Sequence, residues 1–162
     1  MIPRLSFLRD RSGTAAAEMA LVLPLLLALT FMMFEGAYYI WNEHKVVMGV
    51  RDAARFAGRQ DFINYTCPST INTTKLAEIK NITRTGQISG GNSRISGWTD
   101  GDVTVSLTCA TGQGGLYGAV SGNAPRVKIS ANVLYPSLIG TTLGFSTAMR
   151  MGAVAESPVM GL

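Results

Sequence analysis

A single carboxylate, Glu18, lies near the start of a long apolar stretch, and its position needs a chemical explanation. No other charged side chain occurs from Met19 to Phe34. An ionised side chain at the centre of a bilayer costs roughly 2.5–3.5 kcal/mol on insertion scales, so such groups are expected to have a partner or a task. The chemistry indicated here is charge pairing at a membrane.

Other reactive side chains do not form a recognisable active site. His44 is the only histidine and has no cysteine or carboxylate cluster at ligand spacing, which predicts a surface residue. The tripeptide Asp100-Gly-Asp102 is far shorter than a calcium-binding loop and predicts a turn before a strand. The glycine-rich stretch 112–122 lacks the Lys-Ser/Thr pair of a phosphate-binding loop. We expect no enzyme activity, no cofactor and no metal site.

The apolar stretch at residues 14–41 is long enough to cross a membrane, which needs about 20 apolar residues for a core of about 30 Å. The stretch is preceded by the basic side chains of Arg4, Arg9 and Arg11. It ends with aromatic side chains typical of a membrane interface, those of Tyr38, Tyr39 and Trp41. The positive-inside rule places the N-terminus in the cytoplasm and the rest of the chain outside it. A cleaved secretory signal is the alternative, but its apolar core is only about 7–15 residues long.

Helical spacing of apolar residues continues through residues 42–59, and Gly58 predicts the end of the helix. We therefore expect one helix of about 45 residues, roughly 65 Å long. Its first half, residues 14–41, spans the membrane, and its second half is an amphipathic stalk. Pro24 removes one backbone hydrogen bond from the first half and predicts a kink or a weak turn there.

Residues 60–162 are more polar and predict a small α+β domain. Residues 73–83 are expected to form a short helix. Alternating apolar and polar residues predict strands at 103–109 and 127–135, and a less regular pattern predicts a third strand at 145–156. The strands would form a small antiparallel sheet, with its apolar face covered by the stalk.

Cys67 and Cys109 are the only cysteines, and the topology places both outside the cytoplasm. Two cysteines in a small domain there predict a disulfide rather than a metal site. The bridge would close a loop of about 43 residues, worth roughly 3–4 kcal/mol on chain-entropy grounds. Two free buried thiols are the alternative.

The N-terminal third resembles the TadE-like family, minor pseudopilins of the tight-adherence (Flp) branch of type IV pilus and secretion systems. The matching features are Gly13 followed five residues later by Glu18, the run ending at Pro24, Glu35-Gly36 with Tyr38 beyond, and Ala53-Ala-Arg55. Residues 127–136 and the segment ending at Glu156 resemble the distal part of the family more loosely. Met19, where a bulky aromatic is common, and Phe56-Ala-Gly58 depart from the family pattern.

The resemblance implies that a prepilin peptidase cuts the Gly13–Thr14 bond on the cytoplasmic side and removes a leader, residues 1–13. The amine freed on Thr14 would lie one helical turn from Glu18, the spacing at which side chains meet. Glu18 would then neutralise this amine or that of a neighbouring subunit. The alternative is that Glu18 only marks the edge of the span among the lipid headgroups.

Glu35 lies about 25 Å beyond Glu18 along a straight helix, so the two carboxylates bracket the hydrocarbon core. Glu35 reaches the far headgroups or contacts a polar or basic group on another pilin-like helix. The resemblance implies other pilins or pseudopilins, the inner-membrane assembly platform and lipid as partners, with the C-terminal domain in the periplasm.

The net charge of +4 does not predict nucleic-acid binding, because the basic residues beyond the leader are scattered. An unprocessed single-pass membrane anchor with an extracytoplasmic binding domain is the alternative function.

Overall fold

The computed structural model describes residues 12–140 and 148–161 of the chain. Its first element, helix α1, extends from Ser12 to Gly58 over 47 residues. This confirms the expectation of one long helix ending at Gly58. The helical conformation continues through Pro24, and the weak turn expected there stays a prediction. The chain divides into two compact units between Tyr38 and Tyr39.

The first unit consists, in its described part, of α1 up to Tyr38. Its large apolar side chains are exposed on every side of the helix, from Met19 to Phe34. In the ranges described, α1 is the one helix long and apolar enough to cross a membrane. A helix that is apolar all round fits either a buried core or a membrane span. Because no residue that the structure describes buries the apolar part of α1, this helix fits a single-pass membrane anchor.

The second unit starts at Tyr39 and combines the rest of α1 with a second helix and two small sheets. A short hairpin precedes helix α2 (Thr73–Thr85). Its strands, β1 (Tyr65–Thr66) and β2 (Thr70–Ile71), have two residues each. Strands β3 (Val103–Ala110), β4 (Ala124–Leu134) and β5 (Arg150–Pro158) form an antiparallel sheet with β4 in the centre. Together with α1, this arrangement confirms the predicted α+β class.

Strand β4 shows why the sheet has one buried face. Its inward side chains are apolar and at most 3% exposed, whereas its outward ones are mostly polar. The inward set is Val127, Ile129, Ala131 and Val133. The helices supply matching buried residues, which are Val46, Val50, Ala53, Ala54 and Ala57 of α1 and Ile79 and Ile82 of α2. Burying such side chains is the main stabilising contribution, at about 25 cal/mol per Å² of apolar surface.

The second half of α1 packs against both α2 and the sheet. Gly49 lies against the carbonyl oxygen of Thr83 in α2, with no room for a side chain between them. At the end of α1, the Gly58 carbonyl accepts a hydrogen bond of 2.8 Å from the backbone N–H of Met160, just after β5. An ion pair of 2.9 Å between Asp52 and Arg94 joins α1 to the segment that follows α2.

Tyr65 and Asp102, which both lie outside the span, have shifted pKa values. Burial raises the pKa of the Tyr65 phenol to about 12, and its hydroxyl donates a 2.8 Å hydrogen bond to the carbonyl of Ala57. For Asp102, burial raises the pKa, but hydrogen bonds from the N–H and hydroxyl of Thr99 and the charge of Arg150 lower it more. The pKa of Asp102 is therefore lowered overall. The hydrogen bonds that its ionised carboxylate accepts stabilise the turn leading into β3.

Cys67 and Cys109 form a disulfide with their Cα atoms 6.0 Å apart, which confirms the predicted bridge. It joins the turn of the β1–β2 hairpin to β3, across a sequence separation of 42 residues. The Cys67–Pro68 peptide bond is cis.

The third strand differs from its prediction. It runs from Arg150 to Pro158 instead of 145–156, with Ala148 and Met149 outside it and residues 145–147 outside the described part of the chain. Small residues on both faces of β5 blur the two-residue period by which a strand is recognised. Helix α2 confirms the short helix expected from residue 73, and β3 and β4 confirm the other two strands.

Candidate assembly site on the N-terminal helix

Gly13 and Thr14, the residues of the predicted processing bond, lie in the first turn of α1. Residues 1–11 of the predicted leader lie outside the described residues. A Cβ atom on Gly13 would meet no other atom within 4 Å. A peptidase that needs an extended backbone at the Gly13–Thr14 bond would have to open the helix there.

Glu18 lies one helical turn after Thr14, and its side chain is exposed. Within the part of the chain that the structure describes, no hydrogen bond or ion pair involves the Glu18 carboxylate. Its neighbours along the helix are apolar, from Ala15 to Ala17 and from Met19 onward. A carboxylate near the N-terminal end of a helix is favoured by the helix dipole, but this effect fades after the first turn. An additional cation near Glu18 would therefore stabilise it.

The structure places Glu35 and Pro24 in the same helix as Glu18, without bringing the three side chains together. Glu35 is half-buried, about 25 Å from Glu18 along the axis. Pro24 lies between them and lacks the N–H that would bond to the carbonyl of Ala20. The two carboxylates therefore lie toward opposite ends of the apolar part of α1.

Among the described residues, reactive groups elsewhere do not form a metal cluster or another group of catalytic side chains. Within residues 12–140 and 148–161, no group of three histidine, cysteine or acidic side chains could hold a metal ion. A pocket of about 340 Å³ lies beside the disulfide. Its lining is Phe62, Ile63, Tyr65, Thr66, Cys67, Val120, Asn123 and Pro125, which includes no carboxylate, histidine or basic group.

Sequence reasoning missed two contacts that position the part of α1 belonging to the second unit. Gly49 fits against α2 because it has no side chain, and the Tyr39 and Tyr135 rings meet edge to face with centroids 5.1 Å apart. A glycine inside an otherwise apolar helical stripe was the available signal for the first contact. No local pattern signals the second contact, because its residues are far apart in sequence.

Residues 13–55 match the family model described as TadE-like protein. The match confirms the resemblance. It begins at Gly13, covers about a quarter of the chain and ends within α1. No match was found among curated proteins or among solved structures. The family is one of pilus-associated structural proteins, so the match supports a minor-pilin-like role in coarse terms.

Proposed function

We propose that this chain is a minor pilin-like subunit that contributes to assembly of a tight-adherence (Flp) type IV pilus. The first half of α1, residues 14–41, anchors it in the bacterial inner membrane, and residues 60–162 form its periplasmic domain. One observation carries the proposal: the TadE-like match starts at Gly13 and follows an exposed apolar helix that contains Glu18. The function is packing between subunits, and no catalytic step is assigned to it.

Processing after Gly13 is the first step of the proposed function. A prepilin peptidase would bind the segment around Gly13 in an extended form, which glycine adopts readily because it has no side chain. Cleavage would leave Thr14 as the N-terminus, with a free amine at the membrane boundary. The Thr14 amine and the Glu18 carboxylate would then be opposite charges in a medium where each is costly alone.

Charge pairing through Glu18 is the second step. If the Glu18 carboxylate pairs with the amine of a neighbouring subunit, the two helices are held side by side in a fixed register. Such a buried pair serves specificity more than stability, because the desolvation of the two charges offsets much of their attraction. Glu35 would contribute a similar contact at the other end of the span, and Pro24 would let the helix adjust to its neighbours.

Two glycine variants test the processing step. Gly13→Ala and Gly36→Ala make the same change in the same helix, and neither new Cβ atom meets another atom within 4 Å. We expect cells to accumulate full-length precursor with Gly13→Ala and to process Gly36→Ala normally, as read by intact mass of the membrane-extracted protein. Normal processing of Gly13→Ala would contradict the assignment of the cleavage bond.

Two glutamate variants test the assembly step. Glu18→Gln removes the proposed charge pair, whereas Glu156→Gln changes an exposed carboxylate of β5. An uncompensated buried charge costs about 3–5 kcal/mol, so recovery of pilus subunits with Glu18→Gln should fall more than tenfold from cells that carry the pilus genes. Glu156→Gln should recover them like the wild type. Equal recovery by both variants would favour the unprocessed membrane anchor with a binding domain.

A further inference from the structure

One end of the three-stranded sheet, β3–β4–β5, lies beside Tyr39, the first residue of the second unit. The Tyr39 ring contacts the ring of Tyr135, which directly follows β4, at 5.1 Å and an interplanar angle of 72°. The backbone N–H of Tyr135 donates a 2.9 Å hydrogen bond to the carbonyl of Met149, just before β5. The end of β4 and the approach to β5 are therefore level with Tyr39 on α1.

Large apolar side chains are exposed at this end of the sheet. Leu134 is 50% exposed, Leu138 is 51% exposed and Met149 is 55% exposed. We call these three residues the apolar edge. The outward side chains of β4 change along the strand, from charged at Arg126 and Lys128 to apolar at Leu134. On β4 itself the outer side chains thus lose their charge toward the end beside Tyr39, and the exposed cation Arg150 of β5 lies directly opposite Leu134.

The aromatic residues around Tyr39 indicate what this edge meets. Tyr38, Tyr39 and Trp41 follow the apolar part of α1, and such aromatic belts lie at the headgroup level of a membrane. The ammonium of Lys45 lies 3.7 Å from the centre of the Trp41 ring. Lysine beside an interfacial aromatic is typical of the boundary between acyl chains and headgroups. A surface level with Tyr39 is then level with that boundary.

We propose that the apolar edge, Leu134, Leu138 and Met149, inserts into the interfacial layer of the bilayer from which α1 emerges. The partner is lipid, because the edge is continuous with the aromatic belt through the Tyr39–Tyr135 contact. Apolar side chains placed among headgroups gain by leaving water, as in interfacial helices. This inference rests on the membrane anchor of the proposed function and adds a second lipid contact, made by the folded domain.

Matched cysteine variants provide the test, in the oxidised full-length protein reconstituted into phosphatidylethanolamine–phosphatidylglycerol vesicles. Because the two native cysteines are bridged, a new thiol can be labelled selectively with an environment-sensitive fluorophore. The test position is Leu138→Cys and the control is Leu116→Cys, a leucine that is 56% exposed. Leu116 adjoins Tyr117, whose ring is 5.9 Å from that of Phe62, beyond the far end of α1. That end is about 28 Å from Tyr39 along the helix.

Quenching by nitroxide-labelled lipids is the measurement. We expect the label at residue 138 to be quenched at least about twofold more than the label at 116, with a blue-shifted emission. Met149→Cys should reproduce the result at a second position of the edge. Equal quenching at 138 and 116 would overturn the inference.

A label at Leu27→Cys separates this inference from the proposed anchor. Quenching at residue 27 without additional quenching at 138 leaves the span in place and rejects only the membrane contact of the domain. The absence of quenching at 27 would reject the anchor and, with it, the second contact.

Discussion

Gly49 allows a sharp test of how the second half of α1 is packed. A Cβ atom at this position would overlap the carbonyl oxygen of Thr83 and lie 3.0 Å from Cη2 of Trp98. The Thr83 oxygen belongs to the backbone of α2, so a change of rotamer cannot relieve the overlap. Gly49→Ala must therefore push α1 and α2 apart and loosen the core between them.

Two opposing effects set the magnitude. Extra volume in a well-packed core typically costs 1–3 kcal/mol, and a backbone clash lies at the upper end of this range. Alanine in place of glycine inside a helix gains about 1 kcal/mol. The net loss of unfolding free energy should be about 2 kcal/mol. For a unit of this size, that corresponds to a fall in Tm of roughly 5–10 °C.

Thermal unfolding of the full-length protein in detergent, followed by near-ultraviolet circular dichroism, measures this loss. Gly36→Ala is the matched control, because it makes the same change in α1 where the new Cβ atom meets nothing within 4 Å. It should leave the Tm of the domain unchanged. The packing argument would be refuted by a Gly49→Ala protein at least as stable as the wild type.

Three further predictions concern the folded domain. Reducing its disulfide should lower the unfolding free energy by about 3–4 kcal/mol, measured in urea with and without reductant; an unchanged midpoint would contradict this. Asp102 has a lowered pKa, so its stabilisation is present above about pH 4 and is lost as the pH falls through that lowered pKa. Acid unfolding of Asp102→Asn should lack this component, and an unaltered acid profile would argue against it. Tyr65→Phe removes the hydrogen bond to Ala57, at a cost of about 1 kcal/mol. Because burial raises the Tyr65 pKa to about 12, the wild type should also lose stability between about pH 10 and that pKa, whereas Tyr65→Phe should not.

Much of the fold could be predicted from local patterns. Apolar spacing and Gly58 determine the extent and end of α1, and strict alternation identifies β3 and β4. The disulfide followed from two cysteines placed on the same side of a membrane. These features depend on residues near one another in sequence or on a composition that permits few pairings.

Other features depend on tertiary contacts and have no local signal. Strands β1 and β2 have two residues each, too few to show a period. β5 lies at the edge of the sheet, and Gly152 and Ala153 put small residues on both of its faces. The contact between Gly49 and α2 requires knowledge of which helices meet.

The candidate site also has one feature with a local sequence signal and one feature without such a signal. The spacing of Gly13 and Glu18 is local and could be recognised directly, and the family match begins at Gly13. The partner proposed for the Glu18 carboxylate could not be identified from the sequence, because a charge pair between subunits would depend on a second chain. The single-chain structure is consistent with this view, since no hydrogen bond or ion pair from a described residue reaches Glu18.

The identity of the first residue in the membrane-extracted protein tests the central claim most directly. The protein should be purified from cells that contain the prepilin peptidase and from cells that lack it, and its N-terminus sequenced. We predict Thr14 when the peptidase is present and the intact leader when it is absent. A protein that retains the residues before Thr14 in both kinds of cell would contradict the pilin-like account.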